Sequence, residues 1–368
     1  MAVTMALNPS TDTQPWALGL MSGTSLDGID AALIRSDGLR QIEMGPSVSL
    51  PYDDDMRAQL RSVVGGAGAV KEVERALTLR HAAVVRELLA GAGIAPGDVQ
   101  VIGFHGHTIL HRPEERWTWQ IGDGALLAEE TGIDVVCDMR SRDVALGGEG
   151  APLVPLYQAA LAAALPRPLA VVNVGGVANV TWIGDGAEAV LAFDTGPGNA
   201  LINDWVESHG GEPLDRDGAL AKAGRVDLAA LDALLDNPYF TRQPPKSLDR
   251  DDFSKAGVEQ LSLEDGAATL TAFTAASVAL AGGFFPQPVE RWLITGGGRH
   301  NPVLMAALAD RLQAPVDPVE AVGWQGDALE AQAFAYLALR SLAGLPLTLP
   351  GTTGVREAAS GGQHHIAA

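Results

Sequence analysis

The stretch Trp16-Ala-Leu-Gly-Leu-Met-Ser-Gly-Thr-Ser-Leu-Asp-Gly-Ile-Asp-Ala-Ala-Leu-Ile34 decides how the rest of the chain is read. Two apolar runs, Trp16–Met21 and Ala31–Ile34, flank a turn made of Ser22, Gly23, Thr24, Ser25, Asp27 and Gly28. Apolar runs separated by such residues form a β-hairpin. The turn carries glycines and hydroxyls and almost nothing bulky. Glycine lets a backbone approach a ligand closely, and successive N–H groups in a turn make a concave anion site. Taken alone, the stretch also suits an ordinary Ser/Gly-rich hairpin.

Two further glycine clusters follow apolar strands. Leu169–Ile183 reads as strand, Gly175-Gly176 turn, strand. Trp292–Thr295 reads as a strand that runs into Gly296-Gly297-Gly298. Asn301 and Pro302 then supply an N-cap and a first helical residue for a helix over Asn301–Leu312. Two phosphate-sized hairpins and a glycine turn before a helix resemble the actin, hexokinase and Hsp70 superfamily. In that superfamily the hairpins grip nucleotide phosphates and the third turn holds the nucleoside. The chain has no Gly-x-x-x-x-Gly-Lys-Ser/Thr motif, which disfavours a P-loop NTPase.

A closer resemblance rests on longer segments. Met21-Ser-Gly-Thr-Ser-Leu-Asp-Gly-Ile-Asp30 and Phe193-Asp-Thr-Gly-Pro-Gly-Asn199 resemble the anhydro-N-acetylmuramic acid kinases of peptidoglycan recycling. His105-Gly106 with Thr108, His111-Arg-Pro113, Arg142–Pro152 and Asn173–Asn179 are similar to that family too. The similarity runs from about Trp16 to about Gly354. Two positions depart from the family pattern: His107 stands where glutamine is usual, and Leu248 where a smaller residue is expected.

The resemblance implies a two-lobed, ribonuclease H-like α/β fold of the actin/hexokinase kind, with the active site in the interdomain cleft. It implies ATP as co-substrate, contacted by Gly23, Thr24, Ser25, Leu26, Asp27, Gly28, Ile29, Asp30, Gly175, Gly176, Gly296, Gly297 and Gly298. It assigns Asp194 as general base and His105, Arg142 and Glu330 as sugar-binding residues. A cytoplasmic homodimer is the implied form. Superfamily kinases usually keep an acid in each phosphate hairpin, but Met21 and Asn173 occupy those positions here. No direct metal ligand is therefore named. Mg²⁺ is expected through water, held mainly by the nucleotide phosphates, with Asp27 and Asp30 nearby.

Composition narrows the field independently. At 368 residues, two domains are the prior. With 47% hydrophobic and 19% charged residues, the chain is globular. A net charge of −20 argues against a nucleic-acid partner and an anionic membrane surface. The single Cys137 allows neither an internal disulfide nor a thiolate zinc cage, and its place after Asp134-Val-Val reads as a buried strand thiol. Gly266–Phe285 approaches membrane length, but its Ser, Thr and terminal Gly-Gly favour a buried Ala-rich helix. Met1–Pro15 has no basic start and no continuous apolar core, and reads as a flexible extension, not a secretory signal.

The expected layout is that extension, an N-terminal lobe over residues 16–154, a C-terminal lobe over 155–350 and a mobile tail over 351–368. Val99–Phe104 is expected as a short strand that delivers His105–Thr108 to a loop. His105 and His107 could begin a metal site or bond to sugar or backbone. Arg140–Pro152 is a glycine-rich loop whose arginines could pair with a substrate carboxylate. Asp194, between an apolar strand and a glycine turn, either caps the next helix or acts in catalysis. Pro244–Phe253 reads as a flap, and Glu330, beside an apolar helical face, as a substrate contact or one half of an ion pair.

A glycosidase normally needs one carboxylate to activate water and another to protonate the departing oxygen. In a 1,6-anhydro sugar that oxygen is O6 of the same molecule. If the γ-phosphorus of ATP captures O6, phosphorus replaces the proton and one base suffices. A kinase for an ordinary hydroxyl of another sugar, or a non-catalytic ATP-binding module of the same fold, are the alternative readings.

Overall fold

Each glycine hairpin gains a third antiparallel strand on one side and two parallel strands on the other. The computed structural model describes residues 14–186, 189–248, 252–255 and 257–368. Its strands are β1 (Trp16–Ser22), β2 (Gly28–Ser36), β3 (Ile42–Pro51), β4 (Val99–Arg112), β5 (Trp117–Ile121) and β6 (Val135–Cys137). They continue as β7 (Leu169–Val174), β8 (Val177–Ile183), β9 (Val190–Pro197), β10 (Arg291–Thr295), β11 (Val316–Pro318) and β12 (Gln363–His365). The expected extension at Met1–Pro15 lies, through residue 13, outside the described residues.

The chain divides into two units. The first comprises the residues up to Ala163, with Ala328–Thr348 and Val355–Ala368; the second comprises Ala164–Asp327 and Leu349–Gly354. The first sheet runs β12-β6-β4-β1-β2-β3, with β5 paired to β4. The second runs β11-β10-β7-β8-β9. In both, a three-stranded antiparallel meander is followed by two strands parallel to its first member. The orders β3-β2-β1-β4-β6 and β9-β8-β7-β10-β11 are one topology used twice. The sequence shows this repeat only as a weak likeness of the two hairpins.

Within the first unit, Ala17, Leu18 and Leu20 of β1 are fully buried, as a central strand covered on both faces requires. The Leu329–Leu342 helix packs on β1, β2 and β4. It lies so close that a Cβ at Gly19 would stand 1.7 Å from Ala331 O, and one at Gly103 2.0 Å from Phe334 O. Chain order alone places this helix in the second lobe; packing returns it to the first. The expected boundary after residue 154 falls instead at Ala163/Ala164, past the Pro155–Leu161 helix.

The C-terminal segment is not a mobile tail. Gln363–His365 pairs with β6, and Asp134 accepts hydrogen bonds from His364 Nε2 at 2.8 Å and Ala367 N at 3.0 Å. These polar residues satisfy an otherwise open sheet edge through their backbones, which no hydrophobic pattern announces. In the second unit the Leu263–Ala281 helix is long and apolar enough to span a membrane, but most of it is buried against β9 and neighbouring helices. Cys137 is buried on β6, and desolvation pushes its thiol up to about 12.

Candidate active site

The first hairpin forms as expected, with Met21 opposite Asp30. Leu26 N donates to Gly23 O at 3.1 Å and closes a tight turn; Leu26 itself takes a left-handed φ of 61°. Thr24, Ser25 and Asp27 are exposed at the tip, and Ile29 is buried beneath it. Asp30 accepts a hydrogen bond from the Ser49 hydroxyl and belongs to β2. The two glycines differ in what they serve. A Cβ at Gly23 would meet nothing closer than Ser25 Oγ at 3.6 Å, so its face is open. One at Gly28 would stand 2.3 Å from Leu50 O, so β3 is what demands glycine there.

The second hairpin is braced from below. Gly198 N donates to Gly176 O at 2.8 Å, Asn199 N to Gly175 O at 2.7 Å and Ala200 N to Gly176 O at 3.1 Å. The amides that open the Ala200–Gly210 helix thus hold the turn, and Asn199 Nδ2 adds a bond to Val174 O at 3.0 Å. Gly198 fits because a Cβ there would lie 2.3 Å from Gly175 O. Gly175 and Gly176 have no such close neighbour. In the third turn Gly296 and Gly298 pack on Asn173 and Val174, whereas Gly297 is exposed with open space around it. Asn301 caps the next helix, Pro302–Arg311, through Val303 N and Leu304 N. Arg299 is buried and ties the turn down with bonds to Glu320, Asp327 and Gly296 O.

Asp194 sits inside β9, opposite Asn179, not at a strand end. It does not cap the Ala200–Gly210 helix, whose N-cap residue is Asn199. Its carboxylate Oδ2 instead accepts from Leu248 N at 2.8 Å. Its N–H donates to Lys246 O at 3.0 Å, and its carbonyl accepts from Tyr239 Oη at 2.6 Å. A half-buried carboxylate fixed on a strand beside Gly196 and Gly198 can act on a ligand that approaches the turn.

Residues 15–366 match the family described as anhydro-N-acetylmuramic acid kinase. The chain belongs to this family. It is 62% identical over 353 residues to the "Anhydro-N-acetylmuramic acid kinase" of Paramagnetospirillum magneticum, covering 95% of this chain and 99% of that one. The Rhodospirillum rubrum protein of the same name is 56% identical over 363 residues, 97% of this chain and 96% of its own. Among solved structures, component A of Acidaminococcus fermentans (R)-2-hydroxyglutaryl-CoA dehydratase overlaps 89% of this chain and 99% of its own, with 13% identity and a TM-score of 0.46. Like its family, the chain is a kinase.

The remaining sugar-site residues expected from the kinase family all lie in the first unit, in unlike settings. His105 is buried, not on a loop: β4 continues through Arg112 because β5 pairs with its second half. Its Nδ1 lies 2.9 Å from Gly106 O, and its Nε2 accepts from Arg140 Nε at 3.1 Å. Burial first, then the Arg140 charge, holds the imidazole neutral, well below its ordinary pKa. Arg140 also donates to Gly150 O at 2.7 Å, so the half-buried Arg140 guanidinium is tied to the glycine loop. Arg142 is exposed on the short Ser141–Ala145 helix and lines a surface depression of about 470 Å³ with Asp138, Ser341 and the Ser360–His364 segment. Glu330 is half-buried in the first turn of the Leu329–Leu342 helix, where the dipole favours an acid.

His107 and His105 do not form a metal centre; among the described residues no group of three or more His, Cys, Asp or Glu could hold one. His107 is fully buried with Nδ1 3.0 Å from Ser22 Oγ, which itself lies 2.7 Å from Tyr52 Oη. The segment expected as a flap is anchored over Lys246–Leu248 by its bonds to Asp194; Asp249–Asp251 lie outside the described residues. Tyr239 carries no motif in the sequence, and Lys246 stands out only through the family's Pro-Lys-Ser segment.

Proposed function

We propose that the chain cleaves the 1,6-anhydro ring of 1,6-anhydro-N-acetylmuramic acid with water and phosphorylates O6 from ATP, with Asp194 as the general base. The observation that carries this reading is the fixed Asp194 carboxylate: it is held by Leu248 N, the following helix takes Asn199 and not Asp194 as its N-cap, and its strand runs on to Gly198, which braces the second glycine turn. Asp194 takes a proton from water as that water attacks C1. The C1–O6 bond breaks and its electron pair stays on O6, which forms the new bond to the γ-phosphorus as ADP departs. The products are N-acetylmuramic acid 6-phosphate and ADP. Asp194 then returns its proton to solvent. One carboxylate suffices because phosphorus, not a proton, receives the departing oxygen.

The open faces of Gly23, Gly175, Gly176 and Gly297 support close approach of ATP, with Thr24 and Ser25 as hydroxyl donors. Mg²⁺, if bound, would supply charge neutralisation on the phosphates; it would be held mainly by those phosphates and water, with Asp27 and Asp30 beside the turn. His105 with Arg140, Arg142 and Glu330 form the candidate sugar contacts, and a guanidinium is the natural partner of the lactyl carboxylate. The net charge of −20 supports a cytoplasmic enzyme with no nucleic-acid or membrane partner, and the family resemblance supports a homodimer.

Turnover in ¹⁸O-water tests the reading directly. The product is expected to carry ¹⁸O at C1 and none in the phosphoester bridge. Product without ¹⁸O at C1 would sink the coupled mechanism and leave an ordinary hydroxyl kinase.

A further inference from the structure

We propose that Lys246 is a positioning residue for Asp194, acting through Tyr239 and the Lys246–Leu248 backbone. The inference rests on Asp194 as the base. Every polar group of Asp194 with a partner described above is held by one segment: its N–H by Lys246 O, its carbonyl by Tyr239 Oη, its carboxylate by Leu248 N. Lys246 closes that segment on itself, because its Nζ donates to Tyr239 O at 3.0 Å.

The lysine is an expensive choice for this place. Its residue is 3% exposed, and its ammonium lies 4.4 Å from the ring centre of Tyr239, 4.5 Å from that of Phe284 and 5.7 Å from that of Phe193. Among the described residues no carboxylate pairs with it. Burial, and secondarily the charge of Arg242, push the ammonium down to about 8. A cation so placed is stabilised by one carbonyl and by ring faces, at a desolvation cost a methionine of similar length would not incur. Simple packing between Tyr239 and Phe284 does not require it. A directional bond that fixes Tyr239, and with it the strand position of Asp194, does.

The test compares Lys246→Met, Tyr239→Phe and Asp194→Asn with ATP and 1,6-anhydro-N-acetylmuramic acid. Displacing a catalytic group by about an ångström can cost on the order of 10²-fold in rate. Lys246→Met is therefore expected to lose about 10- to 100-fold in kcat with KM for both substrates nearly unchanged, and to add no loss in the Asp194→Asn background. A folded Lys246→Met enzyme with wild-type kcat, a loss confined to KM, or a further loss on top of Asp194→Asn overturns the proposal. If Lys246→Met does not fold, Tyr239→Phe carries the test: it keeps the ring, removes the hydroxyl that holds Asp194, and must show the same loss of kcat. Wild-type kcat in that variant overturns the proposal as well. An active Asp194→Asn removes the base reading and this inference with it. An inactive Asp194→Asn beside a fully active Lys246→Met removes this inference alone.

Discussion

His107 Nδ1 lies 3.0 Å from Ser22 Oγ, so the last residue of the strand that enters the first glycine turn is held by a fully buried imidazole. Desolvation pushes His107 down to about 4, as it does His81, and His105 is lowered in the same direction. Position 107 thus serves the base of the hairpin from within the sheet.

This has a pH signature. Between about 6.5 and about 4, His107 and His81 stay neutral in the folded protein but take up protons when it unfolds. The unfolded state then binds more protons, so stability rises with pH and falls on acidification across that window. Each such proton contributes about 1.4 kcal/mol per pH unit. His107→Gln removes one of them and keeps a partner for Ser22. The variant is expected to melt with a visibly shallower slope between pH 6.5 and 4. Asp53, Asp134 and Asp327, held below their ordinary values, act only at still lower pH. An unchanged slope would show that His107 does not titrate as its burial requires.

Gly23→Val probes the first turn. The Cβ direction at Gly23 is open, so the fold should tolerate valine within about 0.5 kcal/mol. In the proposed reading the added bulk blocks the approach of a phosphate, and ATP affinity should drop severely. Calorimetric titration beside a melting curve reads both. Wild-type ATP affinity in a folded Gly23→Val protein would place the phosphates elsewhere.

A pair of alanines separates glycines that brace from glycines that face a ligand. Gly198→Ala puts a methyl 2.3 Å from Gly175 O and should cost about 1–3 kcal/mol in stability, with loss of the second turn's geometry. Gly297→Ala meets nothing within 4 Å and should leave melting unchanged while ATP binding weakens. Equal melting temperatures for the two variants would contradict the bracing role of Gly198.

What the sequence disclosed follows from how local each determinant is. The Gly23–Gly28 turn, the Gly175-Gly176 turn and the Asn301-Pro302 helix start are written in adjacent residues, and the structure has each of them. The fate of His105–Thr108 is not local: β5 extends β4 past Phe104, and only the paired strand shows it. Gln363-His364-His365 is polar, yet its backbone completes an edge on β6. Ser22 meets His107 across 85 residues, and Asp194 meets Leu248 across 54. Hydrogen bonds of that separation leave no period in the sequence. The repeated sheet topology is hidden for the same reason, since strand order is a property of pairing.

The sharpest expectation concerns Asp194→Asn. In the structure the carboxylate does not cap a helix; it accepts from Leu248 N, and an asparagine Oδ1 can accept that bond equally well. Keeping that bond limits the stability change from this contact to roughly the 0.5–1.5 kcal/mol that a hydrogen bond contributes. ATP binding should survive, because the glycine turns are untouched. A neutral amide cannot take a proton from water, and general-base catalysis supplies typically about 10²–10⁴-fold. The loss should fall on kcat rather than on KM for ATP. Thermal melting, ATP titration and steady-state kinetics on this single variant decide the matter. Near-wild-type turnover would make Asp194 an anchor for the Lys246–Leu248 segment and send the search for the base to Asp27, Asp30, Glu149 and Glu330.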